Sequence, residues 1–269
     1  MKIPAICGVI DRRILVNYRV DADVLERLLP PPFRPKTIHG MGLAGICLIR
    51  LKNLRPRFSP SWLGVTSENA AHRAAVEWDD NGLTCQGVYI FRRDTSSRLN
   101  ALAGGRIFPG IHYHAVFTVD EPADRLSIAL TSDDGFTRIA VRGRQTEAWP
   151  NESVFDSLEE ASAFFEAGSV GFSPTNSPAR FKGVELECQK WHATPLHVEH
   201  VESSFFDDTR RFPKASIELD CALLMRGIEH EWHGVPDLCC AGRSNRSFAQ
   251  PRRVIMDYQP TVIEPAHHE

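Results

Sequence analysis

The amino-acid sequence predicts a mainly β fold of the α+β class, with antiparallel strands and a few short helices. β-Branched and aromatic residues gather in about ten short segments, and turn-forming residues separate them. Only residues 157–168 have the apolar spacing of a clear amphipathic helix. Strands in this number favour a barrel or a pair of curved sheets, and such folds often hold a ligand in their interior.

The first elements combine strand and helix signals. Residues 13–20 and residues 43–51 are rich in aliphatic and β-branched side chains and are predicted strands. Asp21 and Asp23 are N-cap candidates for a short helix over residues 24–29. The prolines at positions 30–32 end this helix, because proline cannot continue it.

Turn residues in the middle of the chain predict two hairpins. Residues 70–78 and 84–92 flank Asn81-Gly82, a pair that readily adopts positive φ. A helix over residues 98–103 starts at Ser96 and Ser97, and a long strand follows over residues 106–119. Residues 126–131 and 136–142 form the second hairpin around Gly135.

The amphipathic helix begins at Ser157, which has capping-box spacing with Glu160, and Gly168 ends it. Its apolar face consists of Leu158, Ala161, Phe164 and Phe165. Three more strands are predicted over residues 181–189, 197–205 and 215–226. We expect residues 1–242 to form a single domain and residues 243–269 to form a poorly packed tail.

Composition and charge exclude several classes of protein. The 31 basic and 34 acidic residues leave a net charge of −3, which argues against a basic nucleic-acid-binding surface. The longest uncharged apolar stretch, residues 40–49, is about half the length of a membrane helix. Residues 1–9 lack the apolar core of a secretory signal, so we expect a cytoplasmic protein with no membrane partner.

Cysteine usage agrees with a reducing compartment. The seven cysteines are odd in number, and no two have C-x-x-C spacing. We therefore expect free thiols, with the neighbouring Cys239 and Cys240 either packed or merely exposed.

Three consecutive residues on the predicted long strand are candidates for catalysis. His112 and His114 flank Tyr113, and alternation along a strand directs both imidazoles to one face. That arrangement suits two metal ligands or a proton relay, although no third ligand has a defined spacing. The alternative is a half-buried pair satisfied by backbone partners. We predict no cofactor, with a metal at His112 and His114 as the less favoured interpretation.

Two further charged residues are candidates. Glu68 leads into a strand from a segment of low charge, where a cavity would raise its pKa and suit acid–base chemistry. Arg106 follows two glycines and could direct its guanidinium at an anion. The alternatives are a solvated loop carboxylate and an ordinary surface arginine.

Two charged clusters are predicted to be solvated instead. Residues 92–94, Arg-Arg-Asp, are interpreted as a solvated strand end. Residues 229–233, Glu-His-Glu-Trp-His, do not match the zinc motif His-Glu-x-x-His and are interpreted as the polar end of a loop. Nucleophile-elbow, Walker and dinucleotide motifs do not occur in the sequence.

The order of these segments resembles the acetoacetate decarboxylase-like superfamily over residues 10–240. The opening segment ends in Leu-Leu-Pro-Pro-Pro-Phe at residues 28–33, Leu-Gly-Val-Thr-Ser-Glu follows at 63–68, and Gly105-Arg106 precedes the long strand. Phe-Arg-Arg-Asp at 91–94 and Gly-Gly-Arg-Ile-Phe-Pro-Gly at 104–110 are similar to the uncharacterised YqjF-like branch, domain of unknown function 2071. The resemblance implies a closed, cone-like β-barrel with an internal cavity. It also implies a cavity glutamate, matched by Glu68, and the Gly-Arg pair.

The chain departs from the decarboxylases at the residues that define their chemistry. The resemblance implies a glutamate where Ile107 stands and a Schiff-base lysine where Tyr113 stands. No lysine occurs between Lys52 and Lys182. Since an imine requires a primary amine, we predict no decarboxylation of acetoacetate by the lysine route.

Two functions remain open. The first is an enzyme, a lyase, isomerase or hydrolase, that acts on a small oxo-acid-like compound. Glu68 would be its acid or base, Arg106 would hold a carboxylate or enolate, and His112 or His114 would move a proton or bind a metal. The second is a binding protein that uses the same cavity without chemistry. Exposed strand edges would also allow a homo-oligomer.

Overall fold

The computed structural model describes residues 5–102, 110–177, 179–188 and 190–239. In these ranges the predicted class is confirmed, because strands dominate and only three α-helices occur. The helices are α1 (Ala22–Leu28), α2 (Arg98–Leu102) and α3 (Leu158–Glu166), and a 3-10 turn covers Ser61–Leu63. The strands are β1 (Ile6–Asp21), β2 (Arg34–Pro35), β3 (Thr37–Ile38), β4 (Met41–Pro56), β5 (Val65–Asp80), β6 (Leu83–Thr95), β7 (His112–Asp120), β8 (Arg125–Ser132), β9 (Arg138–Gln145), β10 (Val170–Pro174), β11 (Arg180–Cys188), β12 (Thr194–Ser203) and β13 (Ile217–Cys239).

The strand pairings of the described residues close into two rings. The large ring has the order β5-β6-β7-β8-β9-β12-β13-β1-β4 and returns to β5. The small ring has the order β6-β10-β11-β13-β1-β4-β5 and returns to β6. The rings share β13, β1, β4, β5 and β6. Each of these five strands therefore directs one face into the large ring and the opposite face into the small ring. Both faces are consequently covered by other parts of the protein.

The shared strand β1 has apolar side chains on both of its faces. Ile14 and Val16 pack into one hydrophobic cluster, whereas Leu15 packs into a second cluster on the opposite face. Arg12 and Arg13 likewise point to opposite faces, because side chains alternate along a strand. Arg12 is fully buried, and Arg13 is partly buried.

The local signals in the sequence lead to the expected turns and caps. The first hairpin reverses at Asn81 and Gly82, with φ of 49° and 80°, and Gly135 in the second has φ of 73°. Helix α3 begins after Ser157, whose side chain accepts a hydrogen bond from the Glu160 backbone N–H at 3.2 Å. The two turns and the N-cap each depend on interactions between residues only a few positions apart in the chain.

The structure differs from the predicted elements in three respects. Strands β6 and β7 pair in parallel, as do β6 and β10, so the sheet is not wholly antiparallel. Strand β10 was not predicted, since its five residues Val-Gly-Phe-Ser-Pro alternate poorly. Strand β13 continues to Cys239, so the prediction of a polar loop end over residues 229–233 is wrong. The predicted tail from residue 243 lies outside the described residues.

Across the residues that the structure describes, no helix has both the length and the apolar character needed to cross a membrane.

Candidate functional site: an arginine-lined cavity

The small ring surrounds a cavity of about 120 Å³. Every strand of this ring contributes to the wall, including Arg13 from β1, Gly171 from β10 and Trp232 from β13. Phe165 of α3 and Trp191 also line the cavity. Most of the wall is aliphatic or aromatic, so the few polar groups that face the cavity determine which ligand it accepts.

Strand register places four of the lining residues in one row across the sheet. Cys47 of β4 pairs with Ala71 of β5, and Ala71 pairs with Arg93 of β6. Arg93 in turn pairs with His112 of β7. Paired residues on adjacent strands project their side chains to the same face. A thiol, a guanidinium and an imidazole therefore share one wall of the cavity.

Three arginines line this cavity, which we call the arginine cavity. Arg73 donates a hydrogen bond from Nη2 to Asn17 Oδ1 at 2.6 Å and lies 4.9 Å from the ring centre of Phe165. Arg13 lies 5.3 Å from the ring centre of Trp191. Arg93 donates from Nε to the Ser173 hydroxyl at 3.0 Å. All of these contacts of the three guanidiniums are with neutral side chains.

Two of these guanidiniums have unused hydrogen-bond donors. Arg73 is only 4% exposed, and its Nε has no hydrogen-bond partner among the described residues. Nε and Nη1 of Arg13 are also buried without a partner in those residues. No described carboxylate lies in salt-bridge range of either Arg13 or Arg73. A buried charge is costly unless it is paired, so these guanidiniums leave positive charge and unused donors in the cavity wall.

Burial affects both Arg73 and Arg93. It lowers the pKa of Arg73 to about 10; charge on Cys47 or on Cys221 would oppose this effect, and neighbouring Arg13 adds to it. Burial also lowers the pKa of Arg93 to about 10, again opposed by Cys47. Both side chains therefore stay protonated at neutral pH, but their charged forms lack the solvation that water would supply.

Asp94 is the only carboxylate among the described residues that line the cavity. It is fully buried and accepts hydrogen bonds from Arg92 Nε at 3.0 Å and Nη2 at 2.9 Å. Arg92 also pairs with Asp134 at 2.9 Å. Because Arg92 neutralises Asp94, the three cavity arginines dominate the local charge. The prediction of a solvated strand end at residues 92–94 is therefore wrong.

A close approach of two strands supports Arg73. Asn17 lies beside Gly45, and a Cβ on Gly45 would come within 3.2 Å of Asn17 Oδ1 and 2.3 Å of the Val16 carbonyl oxygen. The absence of a side chain at position 45 lets Asn17 reach across β4 to Arg73, which pairs with Gly45 in the sheet.

The structure separates the two predicted histidine candidates. His112 lines the arginine cavity, and its Nδ1 lies 3.2 Å from the Gly110 carbonyl oxygen. His114 does not line the cavity and instead bonds to Asp133 through Nδ1 at 2.7 Å. No group of three or more His, Cys, Asp or Glu residues in the described ranges could hold a metal ion. The geometry therefore gives the proposed metal pair no further ligands.

The imidazole of His112 is neutral at physiological pH. Burial lowers its pKa to about 3, and the positive charge of Arg93 adds to this effect. A carbonyl oxygen only accepts hydrogen bonds, so Nδ1 carries the proton and Nε2 carries the lone pair. His112 thus has the protonation state of a proton acceptor.

Glu68 and Tyr113 lie outside the cavity wall. Glu68 accepts hydrogen bonds at 2.5 Å from Arg12 Nη2 and from Arg50 Nε. Glu121 completes this cluster by pairing with both arginines. Tyr113 is partly exposed, with the guanidinium of Arg92 stacked 3.8 Å from its ring centre. The cavity carboxylate expected at Glu68 is thus part of an ion-pair cluster instead.

Arg106 and the predicted Gly105-Arg106 pair lie outside the described residues. The cavity residues that sequence reasoning missed are Arg13, Cys47, Arg73 and Arg93. Arg73, in the interior of the predicted strand over residues 70–78, was the available signal, since an arginine rarely faces a core without a partner. The sequence positions of these four residues do not show which strands pair, and so do not show that the side chains meet in one cavity.

Comparison with known proteins agrees with this architecture. An acetoacetate decarboxylase from Legionella pneumophila subsp. pneumophila str. Philadelphia 1 superposes with a TM-score of 0.54 at 14% identity, covering 87% of this chain and 88% of that one. An acetoacetate decarboxylase-like enzyme from Sphingomonas wittichii RW1 has a TM-score of 0.54 at 13% identity, with coverage of 87% and 92%. The enduracididine biosynthesis enzyme MppR, complexed with pyruvate, has a TM-score of 0.52 at 12% identity, with coverage of 87% and 89%. At these identities the likeness shows the fold alone.

A search of curated protein sequences found no match. The family model DUF2071, described as "Uncharacterized conserved protein (COG2071)", matches residues 10–227, which include all the strands of the small ring except the start of β1 and the end of β13. The chain therefore belongs to the DUF2071 family and has the fold of the acetoacetate decarboxylase-like proteins.

Proposed function

We propose that this protein is an enzyme that acts on a small oxo acid in the arginine cavity. The observation that carries the proposal is the pair Arg13 and Arg73, whose buried guanidiniums have unused donors and no carboxylate partner among the described residues. A carboxylate accepts such donors in pairs and would replace the solvation that burial removes.

The cavity dimensions support a ligand of three or four carbons. An apolar protein cavity of ~150 Å³ accommodates benzene, which has six heavy atoms. The arginine cavity, at about 120 Å³, offers room for a molecule of similar size. Pyruvate, the ligand named for the structurally similar MppR, also has six heavy atoms and is a natural first probe.

The polar groups of the wall support chemistry beyond simple binding. His112, neutral and with a lone pair at Nε2, shares its row with Arg93. A bound carboxylate would offset the charge of Arg93, which helps to hold the pKa of His112 low. Substrate binding would thus raise the basicity of His112 and equip it to move a proton at the carbon next to the carbonyl.

A lysine is absent from the described residues that line this cavity. We therefore propose a proton-transfer reaction, of the lyase or isomerase type, rather than one through an imine. Arg106 stays a predicted contributor to anion binding, and Glu68 is proposed to support the fold rather than the reaction.

A carrier without chemistry is the second candidate, favoured by the largely apolar wall. The enzyme and the carrier are both expected to bind a small oxo acid, but only the enzyme is expected to convert it. Incubation of the protein with pyruvate in deuterated water separates them, because proton transfer at carbon exchanges the methyl hydrogens for deuterium. Exchange that is lost in His112→Gln supports the enzyme, and binding without exchange supports the carrier.

Binding itself can be measured by titrating tryptophan fluorescence, since Trp191 and Trp232 line the cavity. We expect pyruvate to bind and its neutral amide, pyruvamide, to bind at least about tenfold more weakly. Arg73→Gln should abolish this preference, whereas the matched control Arg210→Gln, at a highly exposed arginine, should retain it. Equal affinity for the anion and the amide would contradict the proposal.

A further inference from the structure

Cys47 lies in the wall of the arginine cavity. It is 8% exposed and is the only cysteine among the described residues that line this cavity. Its cross-strand neighbour Ala71 has a small side chain, and Arg93 follows in the same row. Ala71 is thus the only residue between Cys47 and Arg93 in this row.

The remaining arginines approach Cys47 diagonally. Cys47 pairs with Leu15 on one side, so Arg13 stands two residues along β1. Arg73 stands two residues along β5 from Ala71. Diagonal neighbours in a sheet lie within reach of long side chains. Arg13, Arg73 and Arg93 are therefore row or diagonal neighbours of Cys47 in the sheet.

A second observation shows that this place is built for a ligand. Arg73 is buried, lines the same cavity, and has an Nε without a hydrogen-bond partner among the described residues. Arg93 lines the same cavity and lies in the same cross-strand row as Cys47. An anion held by Arg73 would consequently lie next to the sulfur.

The other buried cysteine provides a contrast. Cys221 is 2% exposed but does not line the cavity, and burial raises the pKa of its thiol. Its sulfur accepts a weak hydrogen bond from Asn17 Nδ2 at 3.6 Å. Because Cys221 is buried and does not line the cavity, a small molecule in the cavity does not reach it. We therefore expect Cys47 to react and Cys221 not to react.

We infer that Cys47 is a nucleophile that adds reversibly to the carbonyl carbon of a small oxo acid whose carboxylate the cavity arginines hold. The inference rests on the proposed function. In this step the sulfur–carbon bond forms, and the π pair of the carbonyl moves to its oxygen. The proton that leaves the thiol goes to that oxygen, with His112 as the carrier. The product is a hemithioketal, and no oxidant or further reactant is consumed.

The charge component is tested by alkylating the reduced native protein with iodoacetate and, separately, with iodoacetamide. Both reagents form a sulfur–carbon bond and release iodide, but only iodoacetate is an anion. Peptide mass spectrometry measures the rate at Cys47 and at Cys85, a thiol outside the cavity. We expect the rate ratio of iodoacetate to iodoacetamide to be about tenfold or more higher at Cys47.

Two additions sharpen the alkylation experiment. Pyruvate should slow the labelling of Cys47 and leave that of Cys85 unchanged, and Arg73→Gln should reduce the ratio at Cys47 to that at Cys85. Equal ratios in the wild-type protein would overturn the inference. Labelling of Cys47 only after unfolding would overturn it too.

The addition itself is tested with pyruvate carrying carbon-13 at the carbonyl. We expect a protein-dependent resonance of a tetrahedral carbon, distinct from that of free pyruvate hydrate, that disappears in both Cys47→Ser and Cys47→Ala. If these variants and the wild type bind pyruvate equally with an unchanged carbonyl resonance, the inference fails and the proposed function stands. If the wild-type protein does not bind pyruvate or related oxo acids, both fail.

Discussion

Acid should destabilise this protein through histidines that are buried in the neutral form. His72 is 1% exposed, packs 4.9 Å from the ring centre of Phe205, and lies 3.0 Å from the Ser203 hydroxyl through Nε2. Burial lowers its pKa from 6.5 to about 3, with Arg92 and Arg211 adding to the effect. Because the unfolded chain binds the proton more tightly, stability is present above pH 6.5 and is lost as the pH falls towards 3.

The size of the loss follows from this difference. Between pH 7 and pH 5 the unfolded state gains most of one proton at residue 72, and the folded state gains almost none. When this difference in proton uptake is integrated from pH 7 to pH 5, the free energy of unfolding falls by about 2 kcal/mol. His112 and His230, whose pKa values burial lowers to about 3 and about 4, add to the loss in the same direction.

Urea denaturation of His72→Gln at both pH values measures this contribution. Glutamine keeps a hydrogen-bonding group for Ser203 but does not titrate, so the variant should lose about 2 kcal/mol less than the wild type between pH 7 and pH 5. His197→Gln, at an exposed histidine, is the matched control and should follow the wild type. A His72→Gln loss within about 0.5 kcal/mol of the wild-type loss would refute the argument.

Three further substitutions test the fold and the division of roles within it. Glu68→Gln should lower the unfolding free energy by about 2–4 kcal/mol, because it removes a carboxylate from a fully buried arginine. Its affinity for pyruvate should not change, and a selective loss of affinity would instead place Glu68 in the site. Gly45→Ala should lower both stability and affinity, since its Cβ would lie 2.3 Å from the Val16 carbonyl oxygen. Normal binding by a stable Gly45→Ala protein would contradict that. Ser157→Ala should cost about 1 kcal/mol in urea denaturation through the lost N-cap of α3 and leave binding intact, and an unchanged midpoint would show that the cap is dispensable.

Local chemistry explains what could be predicted from the sequence. The turn at Asn81-Gly82 and the N-cap at Ser157 occur where expected, because turn and cap interactions act over a few residues. The first helix lies within two residues of its predicted place, and the opening strand ends within one residue of its predicted end but begins at Ile6 instead of Arg13. The resemblance to the acetoacetate decarboxylase-like proteins added the expected topology.

Tertiary pairing explains what could not be predicted. Arg93 belongs to a charged tripeptide typical of a solvated strand end, yet parallel pairing with β7 and contact with β10 bring it to the cavity wall. Glu68 shows the opposite case, since its pairing with Arg50 of β4 directs its carboxylate to an ion-pair cluster. In both cases the pairing with a neighbouring strand determined the environment of the side chain.

The sequence by itself determined the class of fold, most of the turns and the absence of a lysine between Lys52 and Lys182. Only the tertiary structure decided that Arg13, Arg73 and Arg93 meet in one cavity with Cys47 and His112. The physical reason is register: a shift of one residue turns every side chain of a strand to its other face. That register depends on how all the strands of both rings pack together, which no single segment of the sequence encodes.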